Sequence, residues 1–464
     1  VTTFTGGSDA ASAGLILPKD ENPITMNSYG GFVRVAYEHD KANPADIKGG
    51  DIHIGKAAAG SGITLVTDNS GLNTASKKAE DKKLATDTLT ALAEKLHYAA
   101  HADGEKNLEG QVQIAEGLTA YSVALAAHEI DYQADGQGTL GDKIELGSLI
   151  EYGSRETAMM KGAKSAMAST ALMWRNTGSD LHQRLGDLRL AKEERGVWAK
   201  YKGGKLSMDS QNTNLSNSYK AFSAGYDLPV GGDWTVGGAV TKLDGDTTFT
   251  EGTSDNKEVA LTAYGTMLKE DGQYLDLVMS RSRLKTDFHV VNEMGHKLNG
   301  DYKTRGNMFS AEYGRRFVKD HGIYVDPSVQ FIVGKIKGQS YSALSDFSDG
   351  KGGFKSMHID QDGFTSAVGR LGISVGKQAD NYNAFAKLIL AHEFSGGFDT
   401  TFSADGEAQN SKTHLDLKDT WCEFEIGGSA KVSGNTYLYG TFARSFAGDV
   451  TNKWRVDAGA RFSF

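Results

Sequence analysis

The chain has 464 residues, 57 glycines against 5 prolines, one cysteine and a formal net charge of −9. That length allows two or three domains, the lone Cys422 excludes a disulfide framework or a cysteine-rich zinc site, and the acidic balance disfavours nucleic acid as a partner. No run of about 18 apolar residues occurs, so the sequence encodes no helix greasy enough to cross a bilayer.

From Val1 onward nothing reads as a charged segment followed by an apolar one, which predicts a leader already removed or a longer precursor upstream. Residues 1–150 are short strands punctuated by glycine: Asp51-Ile52-His53-Ile54-Gly55, Gly62-Ile63-Thr64-Leu65, Gln111-Val112-Gln113-Ile114 and Lys143-Ile144-Glu145-Leu146. Such rungs stack into a parallel β-helix or solenoid, although the repeat is too degenerate to yield a period. One interruption is helical. Ala85, Leu89, Leu92, Ala93, Leu96 and Ala100 make an apolar stripe over about 80–101, expected to lie across the end of the solenoid.

Residues 154–189 lose the short-strand pattern. Met159, Met160, Ala163, Met167, Ala171 and Met173 recur at three-to-four spacing, with Lys161, Lys164 and Arg175 between them. The spacing predicts a helix that starts after Gly153 with Ser154 as its cap. Some thirty helical residues span about 45 Å, more than a hydrocarbon core of about 30 Å. The helix can pack beside a barrel or thread through one. Its place just before the first barrel strand, its small side chains and its basic residues favour an acidic lumen.

From about 195 the chain alternates with period two. Trp454, Val456, Ala458, Ala460, Phe462 and Phe464 fall on one face of the last segment, and Arg455, Asp457, Gly459, Arg461 and Ser463 on the other. Likewise Cys422, Phe424, Ile426, Gly428, Ala430 and Val432 oppose Glu423, Glu425 and Lys431. Inward carboxylates are costly in a dry core and tolerable in a wet lumen. The pattern predicts twelve strands near 195–204, 218–229, 233–245, 257–269, 272–284, 303–318, 322–337, 363–376, 383–396, 416–432, 435–446 and 453–464. Short connections at 229–232, 270–272, 319–322, 377–382 and 433–435 alternate with long ones at 206–217, 245–256, 285–302, 337–362 and 395–415. Outer-membrane barrels have this asymmetry, with tight periplasmic turns and longer outside loops. The expected fold is therefore an all-β membrane protein: a twelve-stranded antiparallel transmembrane β-barrel with a lumenal α-helix, preceded by a parallel β-helix fragment.

Motifs for chemistry are weak. Gly372-Ile373-Ser374-Val375-Gly376 matches a nucleophile elbow, but that motif needs a strand-to-helix turn and here Lys377-Gln378-Ala379-Asp380 follows. His392-Glu393-Phe394-Ser395-Gly396 lacks the second histidine of a zinc pair. The other histidines are scattered, so no metal site and no cofactor is expected. Alternation places Asp276, Glu312, Arg316, Asp326, Gln330, Arg370, Lys387, Glu393, Glu423 and Glu425 inward. They are read as a polar network that hydrates the lumen and pairs internally and with Lys161, Lys164 and Arg175.

Several motifs, taken with this order of parts, resemble the autotransporters of the type V secretion route over about 155–464. Arg184-Leu185-Gly186-Asp187-Leu188-Arg189, followed by Gly196-Val197-Trp198-Ala199, resembles the family's helix-to-barrel junction. Tyr274-Leu275-Asp276-Leu277 is similar to its fifth strand and Ala311-Glu312-Tyr313-Gly314-Arg315-Arg316 to its sixth. Val325-Asp326-Pro327-Ser328-Val329-Gln330 resembles the seventh, and Gly369-Arg370-Leu371-Gly372 the eighth. The resemblance implies a division into passenger end (1–153), linker helix (154–189) and translocator barrel (190–464), with Arg184, Gly186, Asp187 and Arg189 at the junction. It also implies an outer-membrane location, a monomeric barrel, and help from periplasmic chaperones and the barrel-assembly machinery. The C-terminal strand, through Trp454, Val456, Phe462 and Phe464, is the expected assembly signal. The passenger is expected at the cell surface. In one subgroup a helix asparagine cyclises and a lumen aspartate assists. Asp276 matches that aspartate, making it the candidate catalytic group, but Ser179-Asp180 stand where the asparagine pair would be, and Asn176 lies a turn earlier.

Three functions follow: secretion and display of the chain's own passenger, an adhesin-type one on this reading; a plain diffusion porin; or display of an enzymatic passenger encoded upstream.

Overall fold

The computed structural model describes residues 14–16, 22–67, 71–72, 78–98, 108–114, 117–119, 125–127, 149–151, 156–177, 194–292, 295–348, 352–405 and 410–464. The N-terminal part runs β1 (Gly14–Ile16), β2 (Ile24–Met26), β3 (Phe32–His39), β4 (Ile47–Lys48), β5 (Ile52–Ile54), β6 (Ser61–Thr67), α1 (Ala79–Ala93), β7 (Leu96–Tyr98), β8 (Leu108–Ile114), β9 (Leu125–Ala127) and β10 (Leu149–Glu151). Strands β1, β3, β6 and β8 pair in parallel, as do β2, β5 and β7. The chain thus alternates between two parallel ladders. Val33, Val35, Ile52, Ile54, Ile63, Leu65, Leu96, Val112 and Ile114 share one core. Buried Tyr29 and Tyr37 donate to the Gly62 and Gly50 carbonyls at 2.5 and 2.9 Å. Burial pushes the Tyr29 hydroxyl up to about 12, so it stays a donor at neutral pH. Antiparallel β9 and β10 end the stack.

The stripe read as one helix over 80–101 is two elements. Helix α1 stops at Ala93, and Leu96 opens a rung strand that pairs with Ile52. An inward rung position is as apolar as a buried helix face, so the three-to-four spacing runs on past the helix end. Ala85, Leu89, Leu92 and Ala93 enter the same core as the rungs, which makes the helix an insertion between coils and not a cover over the end. The rung expected at 143–146 lies outside the described residues.

Helix α2 (Ala158–Thr177) follows. Its first turn is capped by Thr157, whose Oγ1 accepts the Met160 N–H at 3.2 Å and donates to the Leu118 carbonyl at 2.8 Å. The expected cap Ser154 and the stretch 178–189 lie outside the described residues.

The rest is sheet: β11 (Gly196–Ser210), β12 (Thr213–Gly231), β13 (Trp234–Phe249), β14 (Gly252–Leu268), β15 (Gln273–Val291), β16 (Lys297–Arg315), β17 (Phe317–Val318), β18 (Ile323–Ile336), β19 (Gln339–Ser348), β20 (Phe354–Gln361), β21 (Phe364–Gln378), β22 (Tyr382–Glu393), β23 (Gly397–Ala404), β24 (Ser411–Asp416), β25 (Thr420–Ser433), β26 (Thr436–Phe446) and β27 (Val450–Ser463). Strands β11 to β16, β18, β21, β22, β25, β26 and β27 form the closed antiparallel barrel, with β27 returning to pair with β11, Phe462 opposite Val197. Closure leaves no open edge, the condition for a sheet in lipid.

The long connections differ from expectation. Most of 206–217, 245–256 and 285–302 is strand, and the first turn is only Gln211-Asn212, both left-handed at φ 53° and 57°. Segments 337–362 and 395–415 fold as the hairpins β19–β20 and β23–β24, which also pair with β16 and with each other. Past the lipid the outward face no longer has to be apolar, so strand pairing continues where the outward half of the sequence pattern fades.

Alternation sorts the two barrel faces. Phe222, Leu261, Met279 and Leu371 point outward and are 58–65 % exposed, while Glu423 and Glu425 point inward and are buried. On β27, Trp454, Val456 and Phe462 face out, as does Phe464 just after it, and Arg455, Asp457, Arg461 and Ser463 face in.

Candidate functional site: the helix inside the barrel

The candidate site is the barrel lumen around α2. Met159, Met160, Met167, Met173 and Trp174 of the helix share a core with inward-facing Leu206, Leu243, Val290, Leu298, Phe364 and Phe402 of the wall. The fit depends on missing side chains. A Cβ on Gly306 would sit 2.5 Å from Trp174 Nε1, and one on Gly334 2.6 Å from the far edge of the same indole. A Cβ on Gly162 would meet Val290 at 2.5 Å. These contacts leave no room for even a methyl group without displacement.

One polar belt crosses this apolar packing. Thr170 Oγ1 meets Thr286 Oγ1 at 2.6 Å and accepts from Tyr302 and Asn256 at 3.0 Å each. Ser169 Oγ donates to Asn256 Oδ1 at 3.2 Å. Near the helix end, the Arg175 guanidinium lies 3.4 Å from Glu393 Oε2, donates to the Leu417 carbonyl at 3.1 Å and stacks 5.1 Å from the Trp421 ring. Lys202 donates to the Asn176 carbonyl at 3.4 Å, and Asn452 donates to Asn176 Oδ1 at 3.2 Å.

Of the helix cations expected to pair with lumen acids, Arg175 does so and Lys164 does not. Lys164 pairs with Glu156 of its own segment at 2.5 Å and donates to the Gln211 carbonyl. Of the helix's ion pairs that the described structure contains, the one to the barrel wall is Arg175–Glu393.

The wall charges form pairs of their own. Arg370 meets Glu423 at 2.6 Å, Lys387 meets Glu312 at 3.3 Å, and Arg316 meets Asp326 at 3.1 Å while lying 3.7 Å over the Tyr324 ring. Gln330 donates to Ser310 at 3.1 Å, and Thr266 donates to Asp276 Oδ1 at 2.5 Å. Glu425 accepts from Arg455 at 2.9 Å, and Arg455 also meets Asp457 at 3.1 Å. Arg461 meets Asp227 at 2.5 Å, with both side chains fully buried. The sequence reading left Asp227, Lys200, Arg455, Asp457 and Arg461 out of the network. The inward parity of Arg455, Asp457 and Arg461 is visible on the last strand, but Arg455 and Arg461 meet Glu425 and Asp227 30 and 234 positions away, and Lys200 and Asp227 sit on the first two barrel strands.

Ser374 lies in the middle of β21, between Asp326 and Lys387 on the neighbouring strands, with no strand-to-helix turn beside it. Asp276 is buried on β15, opposite Thr266 and Glu312. The junction residues Arg184, Gly186, Asp187 and Arg189, and the pair Ser179-Asp180, lie outside the described residues.

Residues 197–443 match the family profile described as the autotransporter beta-domain. The pertactin autotransporter of Bordetella parapertussis is 28 % identical over 324 residues, which cover 68 % of this chain and 33 % of that protein. The serine protease SepA autotransporter of Shigella flexneri is 26 % identical over 316 residues, 66 % of this chain and 22 % of that protein. Among solved structures, the beta domain of the Bordetella autotransporter BrkA is similar at TM-score 0.47 and 21 % identity, covering 58 % of this chain and 100 % of that one. The chain therefore spans a third or less of the length of these curated relatives.

Proposed function

The chain belongs to the autotransporter family, and we propose that it is the translocator of a longer protein together with the end of the passenger it carries to the cell surface. The barrel is an outer-membrane element with the upstream part at the surface. One observation carries the secretion reading: α2 lies inside a closed twelve-stranded barrel and shares a core with the inward face of its wall. Leu118 is buried in the same core as the helix, and Ser411 on β24 donates to the Thr119 carbonyl, so passenger-side chain is seated on the hairpin end of the barrel.

The proposed division is passenger end at 1–153, linker helix at 154–189 and translocator at 190–464. We assign assembly to the C-terminal strand through Trp454, Val456, Phe462 and Phe464, with chaperones and the barrel-assembly machinery as partners. The passenger is proposed to be adhesin-like, a stiff solenoid whose outward rung faces present side chains to a surface. No catalytic role is assigned to the barrel. We further propose that the passenger stays attached. Serine has no side-chain amide to attack its own carbonyl, and an ionised aspartate is a poor electrophile with no nucleophilic nitrogen, so Ser179-Asp180 do not supply the asparagine chemistry.

Surface display tests the main reading. An epitope placed before Phe32 should be reached by protease on intact cells. Deleting residues 462–464 should abolish that signal and leave a degraded periplasmic species. Normal display by the truncated chain would refute the assignment.

A further inference from the structure

Away from the barrel, the solenoid gathers three metal-ligating side chains. In β5 the side chains of Ile52 and Ile54 are buried in the core, so alternation turns His53 outward. Strand β7 pairs with β5 in parallel, with His97 opposite His53. The two imidazoles stack with centroids 4.4 Å apart and planes 9° from parallel. Asp51, one residue before β5, places Oδ2 2.9 Å from His97 Nε2. Its other oxygen lies 3.3 Å from the Lys95 ammonium, which also donates to the Gly49 carbonyl at 2.8 Å. The second ring nitrogen of His97, Nδ1, is buried without a hydrogen-bond partner among the described residues. Donor atoms of Asp51, His53 and His97 all lie within 4.8 Å of one another.

We propose that Asp51, His53 and His97 bind a divalent transition-metal ion, of the zinc class, on the outer face of the solenoid. Two imidazoles and a carboxylate are a donor set that suits zinc, nickel and copper and does not suit calcium or magnesium. Tetrahedral bonds of about 2.0–2.1 Å put ligand atoms about 3.3 Å apart. The separation of 2.9 Å between Asp51 and His97 is already close to that, and a side-chain rotation of part-exposed His53 closes the third position. Lys95 neutralises one carboxylate oxygen and leaves the other to the ion. Three protein ligands leave a fourth position for water or for a donor from another molecule. Because the ligands come from two coils, the ion ties β5 to β7 across the inserted helix α1. Metal binding there is also folding free energy for the solenoid.

The test is calorimetric titration of the whole chain, purified in detergent, with Zn²⁺ alone. The expected result is one tightly bound ion per chain. His53→Gln and His97→Gln should each lower affinity by at least about 100-fold, because removing a residue that merely orients a ligand costs about 10–100-fold. His358→Gln and His414→Gln, which alter the histidines paired with Asp405 and Asp399 on the barrel hairpins, should leave the affinity unchanged. With Cu²⁺ as the probe, electron paramagnetic resonance should show two coordinated nitrogens in the parent chain and one in either solenoid variant. Far-UV circular dichroism checks folding, and the outward His53→Gln variant keeps the test decisive if His97→Gln disturbs its rung. No stoichiometric Zn²⁺ binding by the parent chain overturns the proposal, as does binding that survives His53→Gln.

Discussion

The Arg461–Asp227 pair gives the sharpest energetic prediction. It crosses the seam where β27 returns to the first strands of the barrel. The guanidinium meets Asp227 at 2.5 Å and donates to the Glu194 carbonyl at 3.0 Å and to Ser463 Oγ at 3.2 Å. Both side chains have no exposed surface, so Arg461→Met leaves a carboxylate buried without its cation. Breaking such a pair from one side costs about 3–5 kcal/mol. Tyr264 keeps its hydrogen bond to Asp227 Oδ2 at 3.1 Å, so the lower end, about 3 kcal/mol, is expected, or a roughly hundredfold shift in the unfolding equilibrium. Replacing both partners, Asp227→Leu with Arg461→Met, removes the stranded charge and should recover most of that loss. The assay is denaturant unfolding of the refolded barrel in detergent for the two single variants and the double variant. A coupling energy below about 0.5 kcal/mol, the range found for independent sites, would refute the reasoning.

Three further outcomes are expected. Ile426→Arg, on the lipid face opposite Ala386 and Phe442, should impair membrane insertion, since arginine near the bilayer midplane costs about 2–4 kcal/mol. Glu423→Gln, on the lumen side of the same strand, should still insert, and comparison of heat-modifiable gel migration separates the two. Deleting residues 158–177 should raise ion conductance in planar bilayers, because Trp174 and the methionines then no longer fill the wall; an unchanged conductance would remove the helix as a plug. Mass spectrometry of outer membranes making the longer precursor should find an intact chain through Ser179 to Phe464. A homogeneous new N-terminus at Asp180, lost in Asp276→Asn, would contradict retention.

Much of the barrel was legible in the sequence because its rule is local. A strand with lipid on one side and a lumen on the other must alternate, so Phe462 and Arg461 are sorted by adjacent positions alone. The helix was legible for the same reason, since Met159, Met160, Ala163 and Met167 carry their period within a few turns. Where a local rule served two structures it misled: the apolar stripe ran from α1 into β7, and the hairpins above the barrel read as loops. Tertiary structure alone decided which charge meets which. Arg461 and Asp227 lie 234 positions apart, and Arg175 and Glu393 lie 218 apart. Strand register and barrel closure bring them together, and neither leaves a trace at single positions. The solenoid's histidines make the same point: Asp51 and His97 are 46 positions apart, separated by an inserted helix that hides the repeat. Period and face are fixed by each residue's nearest neighbours along the chain, whereas partners are fixed by where distant segments come to rest.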